Sequence, residues 1–203
     1  MGLKLNHLLK FSVVKVKNRN RFLSKGKIKN TQIRIKGENN EFNLCDNGKI
    51  RDSNIYIRGK NNKIHFGKNV DIRRLKIGLY TSGHEIFIGN NTTMGGGEIS
   101  MDGSPAKISV GEDCMFSYNI EIRTTDSHAI YKINTNERLN PEEDIVVGNH
   151  VWVGANSTIL KGSMLEDGSI LGSGSVLKGK LDKNCIAAGI PAKVIKREIE
   201  WKR

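Results

Sequence analysis

A period of six residues governs the hydrophobic positions in the C-terminal half of this chain. Every sixth residue from Val147 onward is aliphatic, in the series Val147, Val153, Ile159, Leu165, Leu171 and Leu177. The position four residues later is small in four cases of six, in the series Val151, Ser157, Ser163, Ser169, Ser175 and Leu181. A helix repeats its apolar face every three to four residues and a strand every two, so neither explains this pattern. The period predicts a solenoid of short strands and tight corners.

The solenoid has a simple physical basis. Each side of a triangular coil directs one aliphatic side chain inward, and stacked coils bury these side chains in continuous columns. Shorter runs with the same period occur upstream, in Val110-Phe116-Ile122, Ile88-Met94 and Ile64-Val70. Residues 28–63 give only the hints Ile33-Arg34-Ile35 and Ile55-Tyr56-Ile57, so we expect irregular early coils there.

Breaks in the pattern divide the chain. Residues 129–144 are polar and lack the period, and the phase shifts by one residue across them, which predicts a loop inserted between coils. We therefore predict a solenoid over 38–195 that contains this loop. Residues 1–37 would form a basic N-terminal segment or irregular cap, and 196–203 a charged tail or short helix.

Charge is concentrated at one end. The chain has 203 residues and a net charge of +12, yet the first acidic residue is Glu38. The basic segment 1–37 is either a solvated end or a contact for an anionic glycan or the inner membrane surface. It shows no motif for reading nucleic acid, so no nucleic-acid partner is predicted.

The cysteines and the apolar runs indicate the compartment. Cys45, Cys114 and Cys185 are odd in number and widely spaced, which predicts reduced thiols rather than disulfides or a metal site. Lysines interrupt the apolar residues near the start, and no apolar run is long enough to span a membrane. We expect a cytoplasmic protein, with contact to the inner face of the membrane left open.

Two segments carry a family resemblance. The runs Val147-Gly-Asn-His-Val-Trp-Val-Gly154 and Ala188-Gly-Ile-Pro-Ala-Lys-Val-Ile195 resemble signatures of the hexapeptide-repeat acyltransferase superfamily, and the likeness extends over about residues 64–195. The resemblance implies a left-handed parallel β-helix, acetyl-CoA as co-substrate, no metal, and a homotrimer with active sites between subunits. The period alone does not give the handedness.

The resemblance also implies a catalytic base. Acetyl transfer to a hydroxyl needs a group that accepts a proton near neutral pH, and imidazole suits this task. The segment Thr125-Asp126-Ser127-His128, directly before the predicted loop, resembles the catalytic segment of the sugar O-acetyltransferase branch. We expect His128 to be the base, although it continues the inward series and the loop must break that phase. Asp126 either orients the imidazole or bonds the backbone at a corner.

Further residues complete the predicted site. Trp152 lies at an outward position and would line the cleft between the base and the thiol end of CoA, or else form a subunit contact. We expect His150 and Ser127 on the acceptor side of the site. The alternative interpretations are that His150 is a surface residue and that the Ser127 hydroxyl stabilises a turn. By resemblance, CoA would contact Trp152 and the following positions of the C-terminal coils: Ala155, Ser173, Lys178 and Lys193.

Other functions are less consistent with these residues. A γ-type carbonic anhydrase of this fold needs three histidines on adjacent coils, and the intervals of His84, His128 and His150 do not provide them. A purely structural solenoid would show ladders of one repeated outward residue. Within the acyltransferases, an N-acetyltransferase on an amino sugar and an antibiotic acetyltransferase remain open. We predict O-acetylation of a hydroxyl on a bacterial surface polysaccharide or its precursor.

Overall fold

A computed structural model describes residues 12–17 and 19–203. The described residues form strands and irregular segments without a helix. The strands make three parallel sheets, which we call faces A, B and C, and the chain visits them in the order A, B, C once per coil. None of the described elements is a helix long and apolar enough to cross a bilayer.

Face A contains eight strands, and each except the last pairs with the strand three elements later. Its strands are β1 (Val13–Val16), β4 (Gln32–Ile35), β7 (Asn54–Ile57), β10 (Leu75–Leu79), β13 (Gly97–Met101), β16 (Ile120–Arg123), β19 (Thr158–Leu160) and β22 (Val176–Leu177).

Face B repeats the arrangement one corner later. Its strands are β2 (Arg21–Ser24), β5 (Glu41–Leu44), β8 (Lys63–Phe66), β11 (Glu85–Ile88), β14 (Lys107–Val110), β17 (Ile145–Val147), β20 (Met164–Leu165) and β23 (Lys180–Leu181).

Face C closes the triangle and carries a terminal hairpin. Its parallel strands are β3 (Lys27–Lys29), β6 (Lys49–Arg51), β9 (Asp71–Arg73), β12 (Thr93–Met94), β15 (Met115–Phe116), β18 (Trp152–Val153), β21 (Ile170–Leu171) and β24 (Ile186–Gly189). The last strand, β25 (Ala192–Lys196), returns antiparallel to β24.

The core is the set of inward columns. All six aliphatic positions of the C-terminal series, and all six positions four residues after them, are buried, which confirms the predicted period. Face A shows the column in its most uniform form: Ile33, Ile55, Ile77, Ile99, Ile122 and Ile159 follow one another in register and are at most 2% exposed. Each coil thus buries its apolar side chains against the coils before and after it.

The early coils are longer than the late ones and are regular. Stacked positions lie 22 residues apart in the N-terminal half, as between Asn40 and Asn62, and 18 apart after the inserted loop, as between Asn149 and Asp167. The expectation of irregular coils over 28–63 is therefore wrong. Residues 13–35 likewise form β1 to β4 and pair in register with the next coil, so the described part of the basic segment belongs to the solenoid and is not an irregular cap.

Polar ladders at the corners explain the regularity. Asn62 is fully buried between faces A and B, where its side chain donates to Asn40 Oδ1 at 3.0 Å and accepts from the backbone of His84 at 2.8 Å. Asn40 bonds in the same way to Asn20. These amides satisfy backbone groups that a tight corner would otherwise leave unpaired, so asparagine here stabilises the corner.

The corner between faces B and C uses a left-handed backbone. Asn47, Asn69 and Asn91 occupy equivalent corner positions with φ of 59°, 57° and 59°, followed by Asp113 and His150 at 54° and 53°. Asparagine and aspartate tolerate this conformation better than most residues. His150 is thus a corner residue of the solenoid.

The charged C-terminal segment is a tail without a helix, and it packs against the solenoid. Trp201 is 7% exposed, and Arg203 bonds Asp113 at 2.8 Å and the carbonyl of Cys114 at 2.7 Å. The tail lies on the corner between faces B and C, where His150 is located.

Candidate functional site

A long connection interrupts the stack between faces A and B. Residues 124–144 join β16 to β17 without a strand, so the stacked partners Glu112 and Asn149 lie 37 residues apart instead of 22. A single antiparallel bridge joins Tyr131 to Arg138 inside this segment. The inward series ends at Ile122, because Thr124 and Thr125 turn their buried side chains at the corner and His128 is exposed. The loop therefore breaks the phase that would have directed His128 inward.

The base of the loop is held by a buried carboxylate. The side chain of Glu142 is 3% exposed and forms two bonds with the guanidinium of Arg138, at 2.7 and 3.0 Å. Its Oε1 also lies 3.3 Å from the hydroxyl of Thr125, three residues before His128. Arg138 holds the pKa of Glu142 down to about 2, so the pair is ionised at neutral pH.

A second network surrounds the backbone of His128. Asn140 donates to the His128 carbonyl at 2.8 Å and to Asp126 Oδ2 at 3.0 Å, and its own oxygen accepts from the Ile130 amide at 2.6 Å. Lys161, which is 6% exposed, pairs with Asp126 at 2.6 Å and donates to the carbonyl of Pro141 at 2.9 Å. Lys161 holds the pKa of Asp126 below its usual value. Asp126 thus fixes the loop backbone through Asn140 and Lys161, and no hydrogen bond joins it to the His128 ring.

The His128 ring faces solvent. Among the described residues no side chain or backbone group bonds either ring nitrogen, although the His128 amide donates to the Asp126 carbonyl at 2.8 Å. Ser127 is exposed with φ of 68°, and its amide donates to Thr125 Oγ1 at 3.0 Å. The structure therefore presents an imidazole with free nitrogens on a backbone that neighbouring side chains hold at several points.

Trp152 is located on a different side of the prism. It belongs to β18 on face C, is 37% exposed, and lies 5.9 Å from the ring of Trp201. It borders a shallow cavity of about 430 Å³ to which Arg73, Arg74 and Met115 contribute. His128 lies at the corner between faces A and B, so one chain does not bring His128 and Trp152 into a common cleft.

His150 has two partners within the chain. Its Nδ1 lies 2.7 Å from Asp113 Oδ2, its Nε2 lies 3.0 Å from the carbonyl of Trp201, and the Trp201 ring stacks on it at 3.9 Å. The Trp201 carbonyl, with Asp113, raises the pKa of His150. These contacts hold the tail on the corner between faces B and C, away from the corner that carries His128.

The positions predicted to contact CoA separate into three places. Ala155 and Ser173 are neighbours where face C meets face A, where the amide of Gly174 donates to the Ala155 carbonyl at 2.8 Å. Lys178 lies near the loop network, where it pairs with Glu143 and donates to the carbonyl of Lys161, at 2.9 and 2.6 Å. Lys193 is exposed on β25 and forms no ion pair with a described residue.

The remaining histidines and cysteines show no cluster. His84 is fully buried in the asparagine ladder and His65 stacks on Phe87 at 5.0 Å, with burial lowering the pKa of both. His7 lies outside the described residues. The three cysteines are free, and no group of three metal-ligating side chains occurs within the part of the chain that the structure describes.

Sequence reasoning missed Lys161, Asn140 and the pair of Arg138 with Glu142. A lysine between Leu160 and Gly162 carries no signal of burial, since lysine is among the residues least often buried. The ion pair of Arg138 with Glu142 had only a weak signal in the sequence, namely two opposite charges four residues apart within a polar segment.

Comparison with known proteins gives consistent matches. The family model described as bacterial transferase hexapeptide (six repeats) matches residues 144–179. A polysialic acid O-acetyltransferase of Neisseria meningitidis is 47% identical over 112 residues, which are 55% of this chain and 52% of that protein. In that alignment the chain thus spans about half the length of its curated relative.

Structural similarity extends further along the chain. The crystal structure of the polysialic acid O-acetyltransferase OatWY matches with a TM-score of 0.88 and 38% identity, over 95% of this chain and 91% of that one. The polySia-specific acetyltransferase NeuO matches with a TM-score of 0.84 and 33% identity, over 96% and 89% of the two chains. Because these likenesses include nearly the whole solenoid and the loop, the chain belongs to the sugar O-acetyltransferase branch of the hexapeptide-repeat acyltransferase superfamily, with its left-handed parallel β-helix.

Proposed function

We propose that this protein transfers an acetyl group from acetyl-CoA to a hydroxyl of an acidic surface polysaccharide of the polysialic acid type. The observation that carries the proposal is the exposed imidazole of His128, held at the base of the inserted loop in a chain that matches polysialic acid O-acetyltransferases over nearly its full length. The acceptor class is taken from those relatives.

His128 acts as the general base in this reaction. Its neutral ring accepts the proton of the acceptor hydroxyl while that oxygen attacks the thioester carbonyl of acetyl-CoA. The tetrahedral intermediate then collapses, the carbon–sulfur bond breaks, and the CoA sulfur leaves with the proton that His128 carries. The products are the acetyl ester and free CoA, and the chain itself forms no covalent bond to the acetyl group.

The loop contributes through rigidity. Asn140 bonds the His128 carbonyl and Lys161 bonds Asp126, so the backbone that carries the imidazole is held before the substrates bind. A base that is already positioned loses less entropy on the way to the transition state. Asp126 is therefore a positioning residue in this scheme, acting through the loop rather than through the imidazole.

The substrates would occupy a cleft between two subunits. In a trimer, Trp152 of one subunit would face His128 of the next and border the thioester, with Ser127 at the acceptor side. Ala155, Ser173 and the cation of Lys193 would contact CoA. Lys178 is already paired with Glu143, so its contribution to CoA would require that ion pair to open.

Thiol release tests the proposal. Purified protein, acetyl-CoA and polysialic acid should release free CoA, and His128→Ala should reduce kcat by about 100-fold or more. His65→Gln is the matched control, because His65 lies on face B away from the loop, and it should retain wild-type turnover. An unchanged rate in His128→Ala contradicts the assignment of the base. Acetylation of an amino sugar in preference to any hydroxyl would favour the N-acetyltransferase alternative.

A further inference from the structure

Face C carries a row of like charges in its first three coils. Lys27 lies directly opposite Lys49 in the register, and Lys29 lies opposite Arg51, which lies opposite Arg73. Lys27, Lys29, Lys49 and Arg73 are exposed and Arg51 is half-buried. We call these five residues the cation ladder. Like charges directly opposite each other in a sheet are destabilising, so this arrangement has a cost that a bound anion would remove.

Acidic side chains compensate little of this charge. Asp71 is the carboxylate that pairs with the ladder among the described residues, at 2.8 Å from Arg51 and 2.7 Å from Arg73. Arg73, with help from Arg51, holds the pKa of Asp71 down to about 2, so one negative charge is shared by two arginines. Lys49 lies opposite Asp71 in the register, but Asp71 bonds the two arginines instead. Lys27, Lys29 and Lys49 form no ion pair with any residue that the structure describes.

The other faces pair their charges differently. On face B, Lys63 lies opposite Glu85 and bonds it at 2.9 Å, and on face A, Lys76 lies opposite Glu98 and bonds it at 2.9 Å. Among the described residues, face A has one pair of like cations in register, Lys15 opposite Arg34, and the next position in that column is Tyr56. The cation ladder is therefore not the general rule of stacking in this solenoid.

The ladder also points toward the Trp152 cavity. Its last member, Arg73, borders that cavity together with Arg74 and Trp152. Adjacent strands lie about 4.8 Å apart, so the distance from Lys27 along face C to Trp152, five strands on, is about 24 Å. A linear chain bound at the cavity would run along this row of cations.

We propose that the cation ladder is a binding track for an extended polyanionic glycan, the polymer whose reacting sugar occupies the site of the proposed function. The inference rests on that function and adds that the enzyme prefers long acidic chains to short ones. The ladder has no aromatic side chain on which a nucleic-acid base could stack. It is one strand wide and lacks exposed apolar side chains for insertion into a bilayer, which favours a linear glycan over a membrane.

Binding of labelled polysialic acid without acetyl-CoA tests the track. The charge-reversal pair Lys27→Glu and Lys49→Glu should weaken binding by about 10-fold or more at low salt, with a smaller effect near 1 M salt, where exposed charges are screened. The matched control is Lys15→Glu with Arg34→Glu, which makes the same charge change in a like pair on face A and should weaken binding less than about 3-fold. Thermal melts should show both pairs folded, since neither replaces a buried residue.

Each outcome has a definite meaning. Equal losses of polysialic acid affinity in the ladder pair and in the face A control pair would show that only net charge matters, and would overturn the track. Tighter binding of duplex DNA, or of vesicles rich in anionic lipid, than of polysialic acid would assign the ladder to another polyanion and also overturn it.

Kinetics separates the track from the proposed function. The ladder pair should raise KM for the long polymer and leave kcat, and turnover of a sialic acid trimer, unchanged. If the enzyme turns over and the ladder pair leaves KM for the long polymer unchanged, the proposed function would be retained and the track rejected. If the ladder pair weakened polymer binding but no glycan supported thiol release, the track would be retained and the proposed function rejected.

Discussion

At the scale of single residues, Glu142 is an ionised group that is buried at the base of the loop. Its pKa of about 2 in the folded protein lies below the ordinary value of 4.5. A lowered pKa contributes stability that is fully present above the unfolded value and is lost as the pH falls from about 4.5 through about 2.

Glu142→Gln should therefore destabilise the protein by about 1–2 kcal/mol at pH 7, less than the full shift implies because Arg138 is partly solvated. The difference between variant and wild type should shrink as the pH approaches 3. Urea unfolding at both pH values measures it. Glu143→Gln is the control, because its carboxylate forms an exposed pair with Lys178 and should change stability little. A pH-independent difference would show that packing, and not charge, makes Glu142 important.

The sequence predicted His128 but not the residues that hold it. The likeness of Thr125-Asp126-Ser127-His128 to a catalytic segment, directly before the predicted loop, selected His128 as the candidate base, and this assignment stays a prediction. Whether its ring faces inward or outward depends on where the phase breaks, and Thr124 and Thr125 set that point by occupying the corner. Lys161, one of the two partners of Asp126, comes from the next coil, and no local sequence pattern indicates that contact.

At the scale of elements, the tail over 197–203 is attached by groups that titrate. Both partners of the His150 ring, the Asp113 carboxylate and the Trp201 carbonyl, only accept hydrogen bonds, so both bonds form only when the ring is an imidazolium. The raised pKa means that this stabilisation is complete below pH 6.5 and is lost as the pH rises through the higher folded value.

Trp201 reports this contact directly. The chain has two tryptophans, so a Trp152→Phe background leaves Trp201 as the only one. Its emission should change as the pH rises above about 6.5, because the stacked imidazolium loses its proton. The transition should disappear in His150→Gln and move to lower pH in Asp113→Asn. An unchanged transition in His150→Gln would show that another group releases the tail.

The six-residue period predicted the late coils of the solenoid but not the early ones. Six-residue spacing is correct where the chain uses 18 residues per coil, and it located the C-terminal coils. The early coils also repeat, at 22 residues, as Ile33, Ile55 and Ile77 show, but four-residue strands and longer corners do not fit hexads. The weak six-residue signal over 28–63 suggested irregularity, whereas stacked amides such as those of Asn40 and Asn62 keep the long corners regular.

At the scale of the whole molecule, the proposed site would need two chains, because His128 and Trp152 lie on different sides of the prism. Asp126 and Lys161 fix the His128 loop where face A meets face B, and Trp152 lies on face C, the opposite side of the triangle. A site that uses both residues must take His128 from one subunit and Trp152 from another. Such an interface would be heterologous, since it would join different surfaces of two copies.

Mixing two inactive variants tests that geometry. If His128→Ala and Trp152→Ala each abolish turnover, assembling them at equal ratio should restore about a quarter of the wild-type rate, because one interface in four pairs an intact His128 with an intact Trp152. If both residues acted within one chain, the mixture would stay inactive. The control is a chain carrying both substitutions, mixed equally with wild type. It should also give about a quarter if sites form between chains, but about half if each chain works alone, so the two mixtures together decide where the active site lies.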